Sequence, residues 1–420
     1  MSRGGVCLFL VLYAFAPPAA ADSITVSQAI DEALQHNLSL FAERANLTIA
    51  DAQLVAARLR PNPVFSFSAD HLDWLGTGFN AENNGGPPEI AWRIDVPLER
   101  AGKREARIAL ASAIKSAAEA QFADAVRNLR QDVTLACIDV MAARSTRDLV
   151  AGNLRTFEDL VRVNRARLTA GSIAPSEARR SEVAMLQFRA TVVRADLDLA
   201  AATARLRTLL GRPAGDPIAV DGDLRGASPS PSPDAAALRR LALASRPDLR
   251  ALQLGQTRST ADLRLQEALG HIDYTVGAEY RRQQGIAGRG NSVGLFVSAP
   301  LPISSRNQGE IARASGELTQ AERQIAAREA QIASEVESAA HEFDTMRDLV
   351  TAMEKELLAP ATSARDTAEY TYRAGGATLL ELLDAQRAFN DTMQSYVDAQ
   401  AGLRRAAARL NGTVAAEVVP

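Results

Sequence analysis

The residues of this chain that could do chemistry are its carboxylates and its four histidines, and their spacing fits no reaction. His36, His71, His271 and His341 are scattered, without the spacing of metal ligands. His341-Glu342-Phe343-Asp344 lacks the second histidine of a zinc-protease helix. No nucleophile elbow, phosphate loop or dinucleotide fingerprint is present. The 50 acidic residues fall mostly on helix faces among 47 Lys and Arg, where solvated pairing is the default. The sequence therefore assigns no catalytic site, no cofactor and no metal site, and argues against an enzyme. What distinguishes a few carboxylates is placement. Glu381 and Asp384 lie three apart on a helix and share a face. They follow a glycine turn at Gly375, and Tyr372 precedes it. Glu177 follows a matching turn at Gly171.

Those turns belong to a duplicated plan. The two glycines are 204 positions apart, in Leu168-Thr-Ala-Gly171-Ser-Ile-Ala-Pro175-Ser-Glu177 and Tyr372-Arg-Ala-Gly375-Gly-Ala-Thr378-Leu-Leu-Glu381. Asn37-Leu-Ser-Leu40 and Arg246-Pro-Asp-Leu249 are 209 apart. Each copy reads as a helical segment, two alternating strands around a Gly-rich loop, a long heptad helix, the turn and a returning helix. The predicted strands lie near 64–70, 90–96, 272–280 and 293–299. Phe65, Phe67, Trp92, Ile94, Tyr274 and Val276 alternate with polar residues, as a lipid-facing strand requires, which leaves Asp95, Asp273 and Glu279 for a lumen. Phe296 breaks the pattern in the fourth strand. Segments 72–88 and 281–291 read as long exposed connections.

The helices carry the stronger signal. Residues 102–170 contain no proline and would span about 100 Å as a helix. Phe122, Val126, Leu129, Val133, Ala136 and Val140 step by four and three, and Val150, Leu154, Phe157, Val161 and Leu168 continue the register. Ile332, Val336, Ala339, Phe343, Met346, Val350, Met353 and Leu357 do the same in a second helix over 308–374, which Pro360 should interrupt and bend. Return helices are expected over 175–210 and 378–411. The repeats then occupy 22–210 and 235–411, joined by a Pro/Ser/Gly linker over 211–234 and followed by a tail over 412–420. The class is mainly α with a small β part; the alternation alone fits a membrane β part or an ordinary amphipathic sheet of a soluble domain.

Residues 1–21 read as a secretory leader, with Arg3, a short apolar core and Ala19-Ala20-Ala21 at the cleavage site. Its removal takes Cys7 and leaves Cys137 alone, so no internal disulfide can form; burial in a helix is expected for it. The formal charge of −3 is no nucleic-acid-binding balance.

The order of elements resembles the outer-membrane efflux protein family (TolC-like). The likeness is carried by Arg60-Pro-Asn-Pro63, Pro97-Leu-Glu-Arg-Ala-Gly-Lys-Arg104, Pro302-Ile-Ser-Ser-Arg-Asn-Gln-Gly-Glu-Ile311, the Tyr-Arg-Ala-Gly375 turn and Leu-Leu-Glu381-Leu-Leu-Asp384-Ala-Gln-Arg387. The Arg60-Pro-Asn-Pro63 segment, the Gly86-Pro-Pro-Glu89 loop end and the segment over 98–111 are most similar to the heavy-metal (cobalt–zinc–cadmium type) branch. The resemblance implies a homotrimer, with four strands per chain closing a twelve-stranded barrel in outer-membrane lipid and the helices forming a tapered α-barrel across the periplasm. It implies a periplasmic adaptor and an inner-membrane resistance–nodulation–division pump as partners. It also implies a periplasmic gate near Glu381 and Asp384, with Tyr372 and Glu177 as latch residues. The family's usual basic latch position is Ala377 here. The alternatives are a type I protein-secretion or multidrug duct of the same fold, a periplasmic coiled-coil adaptor, and a soluble scaffold.

Overall fold

The structure, a computed structural model, describes residues 22–72, 74–76, 88–225, 232–285 and 288–419. The leader, most of the first Gly-rich loop and part of the linker lie outside the described residues. The first repeat contains α1 (Val26–His36), α2 (Leu38–Arg58), β2 (Val64–Asp70), β3 (Glu89–Leu98), α3 (Lys103–Thr169) and α4 (Pro175–Leu210), preceded by β1 (Asp22–Ile24). After β4 (Ile218–Val220) the second contains α5 (Ala235–Ser245), α6 (Pro247–Leu269), β5 (Tyr274–Gly285), β6 (Gly288–Ser298), α7 (Gln308–Ala352), a π turn (Met353–Leu357), α8 (Leu358–Arg373) and α9 (Leu379–Val414). No helix among the described residues is long and apolar enough to cross a membrane.

The duplication reaches single hydrogen bonds. Gly171 and Gly375 both take left-handed φ, 73° and 80°, which a side chain would strain. The Gly171 amide bonds Leu168 O and the Ser172 amide bonds Arg167 O; the Gly375 amide bonds Tyr372 O and the Gly376 amide bonds Thr371 O. Both turns are thus the same Schellman closure. Their restarts differ. Pro175 opens α4 without a side-chain cap, whereas Thr378 and Glu381 form a capping box on α9.

Three expectations are corrected. The second connection is not long: β5 runs to Gly285 and β6 starts at Gly288, so most of 281–291 is strand. A ladder needs only backbone partners, and polar side chains do not end it. Asp273 is not a strand residue pointing to a lumen. It precedes β5 and accepts bonds from the Arg100 amide (2.9 Å) and Lys103 Nζ (2.7 Å), tying the end of the sheet to the start of α3. Leu357 does not continue the heptad seam. The turn at 353–357 inserts one residue, so Leu357 is exposed and Leu358 packs beside Val350, Met353 and Tyr396. Pro360 supplies the cause: it has no N–H for the Glu356 carbonyl, and its ring crowds that carbonyl unless the helix widens ahead of it.

The chain forms two compact units that cut across the repeats. One comprises residues up to Phe41, Val126–Ala242 and Glu335 onward. Its core holds the heptad positions Val133, Ala136, Val140, Val336 and Phe343, with Cys137, Leu206 and Leu410. Burial pushes the Cys137 thiol up to about 12. The other unit comprises Ala42–Ala125 and Leu243–Ser334 and contains the sheet β2-β3-β5-β6. At the start of its α6, Asp248 pairs with Arg246 (2.9 Å) and Arg328 (2.6 Å).

Burial pushes the Asp248 carboxyl up, but the two guanidiniums outweigh this and hold it well below the usual carboxylate range. A carboxyl lowered in the folded state contributes stability above its unfolded value, about pH 4, which is lost as pH falls below it. Thermal unfolding followed from pH 7 down to pH 3 should therefore show a falling melting temperature below about pH 4. Asp248→Asn should lower the neutral-pH value and flatten that fall.

Candidate functional site

The four-stranded sheet is inside out. Its antiparallel register sets Phe65 opposite Ile94, Phe67 opposite Trp92, Trp92 opposite Tyr280, Val96 opposite Val276 and Leu98 opposite Tyr274. Directly paired residues share a face, so all six sequence-predicted strand residues fall on one. Val293, Leu295 and Val297 join them from β6. This apolar face is the open one, with Val293 76% and Leu295 83% exposed. On the opposite face the Asp95 and Glu279 side chains are only 18% and 11% exposed.

On the polar face both arginines are paired with carboxylates. Arg93 pairs with Asp95 at 2.9 Å, and Arg281 bridges Glu89 (2.7 Å) and Glu279 (3.0 Å). Phe296 lies on this side under Arg93, whose guanidinium carbon is 4.2 Å from the ring centroid. That cation–π contact accounts for its break in the alternation. Both outer edges, β2 and β6, have no strand partner among the described residues.

The two glycine turns meet around one phenol. The Tyr372 hydroxyl lies 2.8 Å from Asn164 Oδ1 and 3.0 Å from Glu177 Oε1. A hydroxyl has one proton, which goes to the charged acceptor, Glu177. The Asn164 amide meets the phenol best with its N–H2 turned inward, which also gives this otherwise unpartnered donor a bond. Burial and the neighbouring Glu177 carboxylate raise the Tyr372 pKa. Around them Phe157, Leu379, Leu382 and Leu383 form an apolar cluster, against which Ala377 packs. Arg167 donates to Arg373 O (2.6 Å) and lies 5.5 Å from the Tyr372 ring centroid. A cation thus does reach the turns, from α3 rather than from position 377.

Tyr372 and Glu177 are therefore brought together, while Glu381 and Asp384 stand apart from them. The Glu381 carboxylate caps α9 through the Thr378 amide at 2.7 Å. Asp384 is exposed and 3.7 Å from Arg387. Sequence reasoning missed Asn164 and Arg167. The first left a signal: the seam steps from Val161 to Leu168 over one unnamed position, and that position is Asn164, fully buried. A single asparagine in a heptad seam fixes register.

A family model described as outer membrane efflux protein matches residues 29–212 and 238–415, and the chain belongs to that family. It is an efflux protein of the outer membrane. Over 371 residues, 88% of this chain and 85% of the relative, it is 24% identical to the cobalt-zinc-cadmium resistance protein CzcC of Cupriavidus metallidurans. It is likewise 24% identical to the nickel-cobalt-cadmium resistance protein NccC of Alcaligenes xylosoxydans xylosoxydans, over 71% of this chain and 66% of the relative. The fold is that of the Campylobacter jejuni CmeC outer membrane channel, with a TM-score of 0.76, 12% identity and coverage of 94% and 86% of the two chains.

Tyr372→Phe should strand the buried Asn164 amide and lower stability by about 1–3 kcal/mol. Adding Asn164→Leu should recover part of that loss. Urea unfolding of the detergent-extracted protein measures both, and equal stability of Tyr372→Phe and wild type would mean that the hydroxyl does not hold the two turns together.

Proposed function

We propose that the chain is the outer-membrane exit duct of a tripartite efflux system, working as a homotrimer and passing heavy-metal cations from an adaptor and inner-membrane pump to the outside. The observation that carries the membrane part is the inside-out sheet with two open edges. Lipid offers no partner to the backbone groups of an open edge, so β2 of one copy must pair with β6 of the next. The resemblance supplies the number, three copies and twelve strands, and the pump class, resistance–nodulation–division. Heavy-metal cargo is supported by the names of CzcC and NccC. The protein itself is a passive conduit, with no catalytic role for its carboxylates.

The gate reading places Glu381 and Asp384 of three copies around one opening, six carboxylates in all, with Tyr372 and Glu177 holding the turns closed behind them. Such a ring attracts cations. Glu381 must serve the α9 cap as well. Its glutamine variant keeps the capping box and removes only the charge.

Three measurements test this reading. Mass measurement of the detergent-extracted particle should give three chains, and a soluble monomer would end it. Val276→Arg should cost roughly 2–4 kcal/mol of assembly stability near the bilayer midplane, with Thr275→Arg costing far less; the reverse order would mean that the sheet faces are inverted. In a planar bilayer the wild type should be cation-selective and blocked by multivalent cations from the periplasmic side. Glu381→Gln with Asp384→Asn should weaken both effects, and unchanged selectivity and block would place the constriction elsewhere.

A further inference from the structure

The sheet carries four arginines, and they divide by face. Arg93 and Arg281, on the polar face, are neutralised by carboxylates. Arg282 and Arg289 belong to the apolar face. The register sets Arg282 between Ile90 and Asn291, one pair beyond the row Trp92–Tyr280–Val293, and sets Arg289 opposite Gln284, one pair further. Both are exposed, and among the described residues neither has a carboxylate partner.

The row just below them is aromatic. Phe67 and Trp92 lie 6.0 Å apart between centroids, and Trp92 stacks on Tyr280 at 5.7 Å. Such a row across three strands has the composition of the girdle that marks a membrane–water interface. Arg282 stands two residues past Tyr280, about 7 Å along the strand. Arg289 adds a similar step. Both lie toward the β5–β6 hairpin, the end away from α3 and α7, and so toward the outside if the helices occupy the periplasm. Two guanidiniums at headgroup level, outside the girdle and without a carboxylate partner among the described residues, have the geometry for anionic oxygens supplied by the lipid.

Resting on the membrane reading above, we propose that Arg282 and Arg289 form a headgroup site for the phosphates of an anionic outer-leaflet glycolipid. Arginine suits this task because its planar fork binds two phosphate oxygens at once and remains charged at every accessible pH. The polar face needs no such partner, because its arginines already have one. The strands' extension past the apolar band then has a use: it carries the two charges to the depth where phosphates lie.

The test uses the full chain in phosphatidylcholine nanodiscs doped with diphosphoryl lipid A. Lipid retained after detergent release is counted by native mass spectrometry. Wild type should retain lipid A in preference to its dephosphorylated form, and millimolar inorganic phosphate should not displace it. Arg282→Gln with Arg289→Gln should reduce retention at least about tenfold, and the double lysine variant should keep an intermediate share. Phosphatidylcholine retention should be the same in all. Equal lipid A retention by wild type and the double glutamine variant, or no preference for the phosphorylated form, would overturn the proposal while leaving the membrane reading intact. Failure of the wild type to enter phosphatidylcholine discs would overturn both.

Discussion

A strand in hydrocarbon must find every backbone hydrogen bond inside its own sheet, because lipid returns none. The rest of this molecule depends on that constraint. Two hairpins, one from each repeat, meet at β3 and β5, whose ten paired positions form the middle of the sheet. The duplication thus supplies an interior pairing as well as a second hairpin. Lys103 and Asp273, from different repeats, then fix the sheet to the first turn of α3. The lysine is nearly buried there, with a side chain 6% exposed, and is held by Asp273 and the His271 carbonyl. A charge so enclosed is tolerable only when it is fully bonded.

Much of this was legible in the sequence, because it rests on periodicities. The seams of α3 and α7 and the two glycine turns follow from residue spacing, and the family from the resemblance of its motifs. The six apolar strand residues do so too, since a pleat fixes the face of every second residue. What stayed hidden depends on partners distant in sequence. The pairing of Arg281 with Glu89, which neutralises one arginine of the polar face, joins residues from opposite repeats. The extended β5–β6 ladder looked like a loop because its outer part is polar. Asn164 was visible only as a gap in a pattern, and its meaning came from Tyr372, which the fold brings to it from the other repeat.

The carboxylates illustrate how local structure limits a functional reading. Glu381 was singled out for its place beyond a turn, and it is also the residue that lets α9 begin. The charge and the cap are separable chemically, since an amide can cap as well as a carboxylate can. Asp384, free of any such duty, is the more purely electrostatic member of the pair.

The widened turn at Met353–Leu357 has an effect some fifteen residues away. Before it the inward-facing, buried or half-buried stripe steps through Phe343, Met346, Val350 and Met353; after it the stripe continues through Leu358, Ala361, Arg365, Ala368 and Tyr372. Extended without the extra residue, the same four-three rhythm would have arrived at Thr371, and the tyrosine would have been turned away by about 100°, one residue of helical rotation. The Glu354 carboxylate fastens the widened turn to the Tyr396 hydroxyl at 2.7 Å, and Tyr396 in turn accepts from Gln400. A proline at position 360 thereby acts as a phase setting: it decides which side chain of the far turn points inward to meet Asn164.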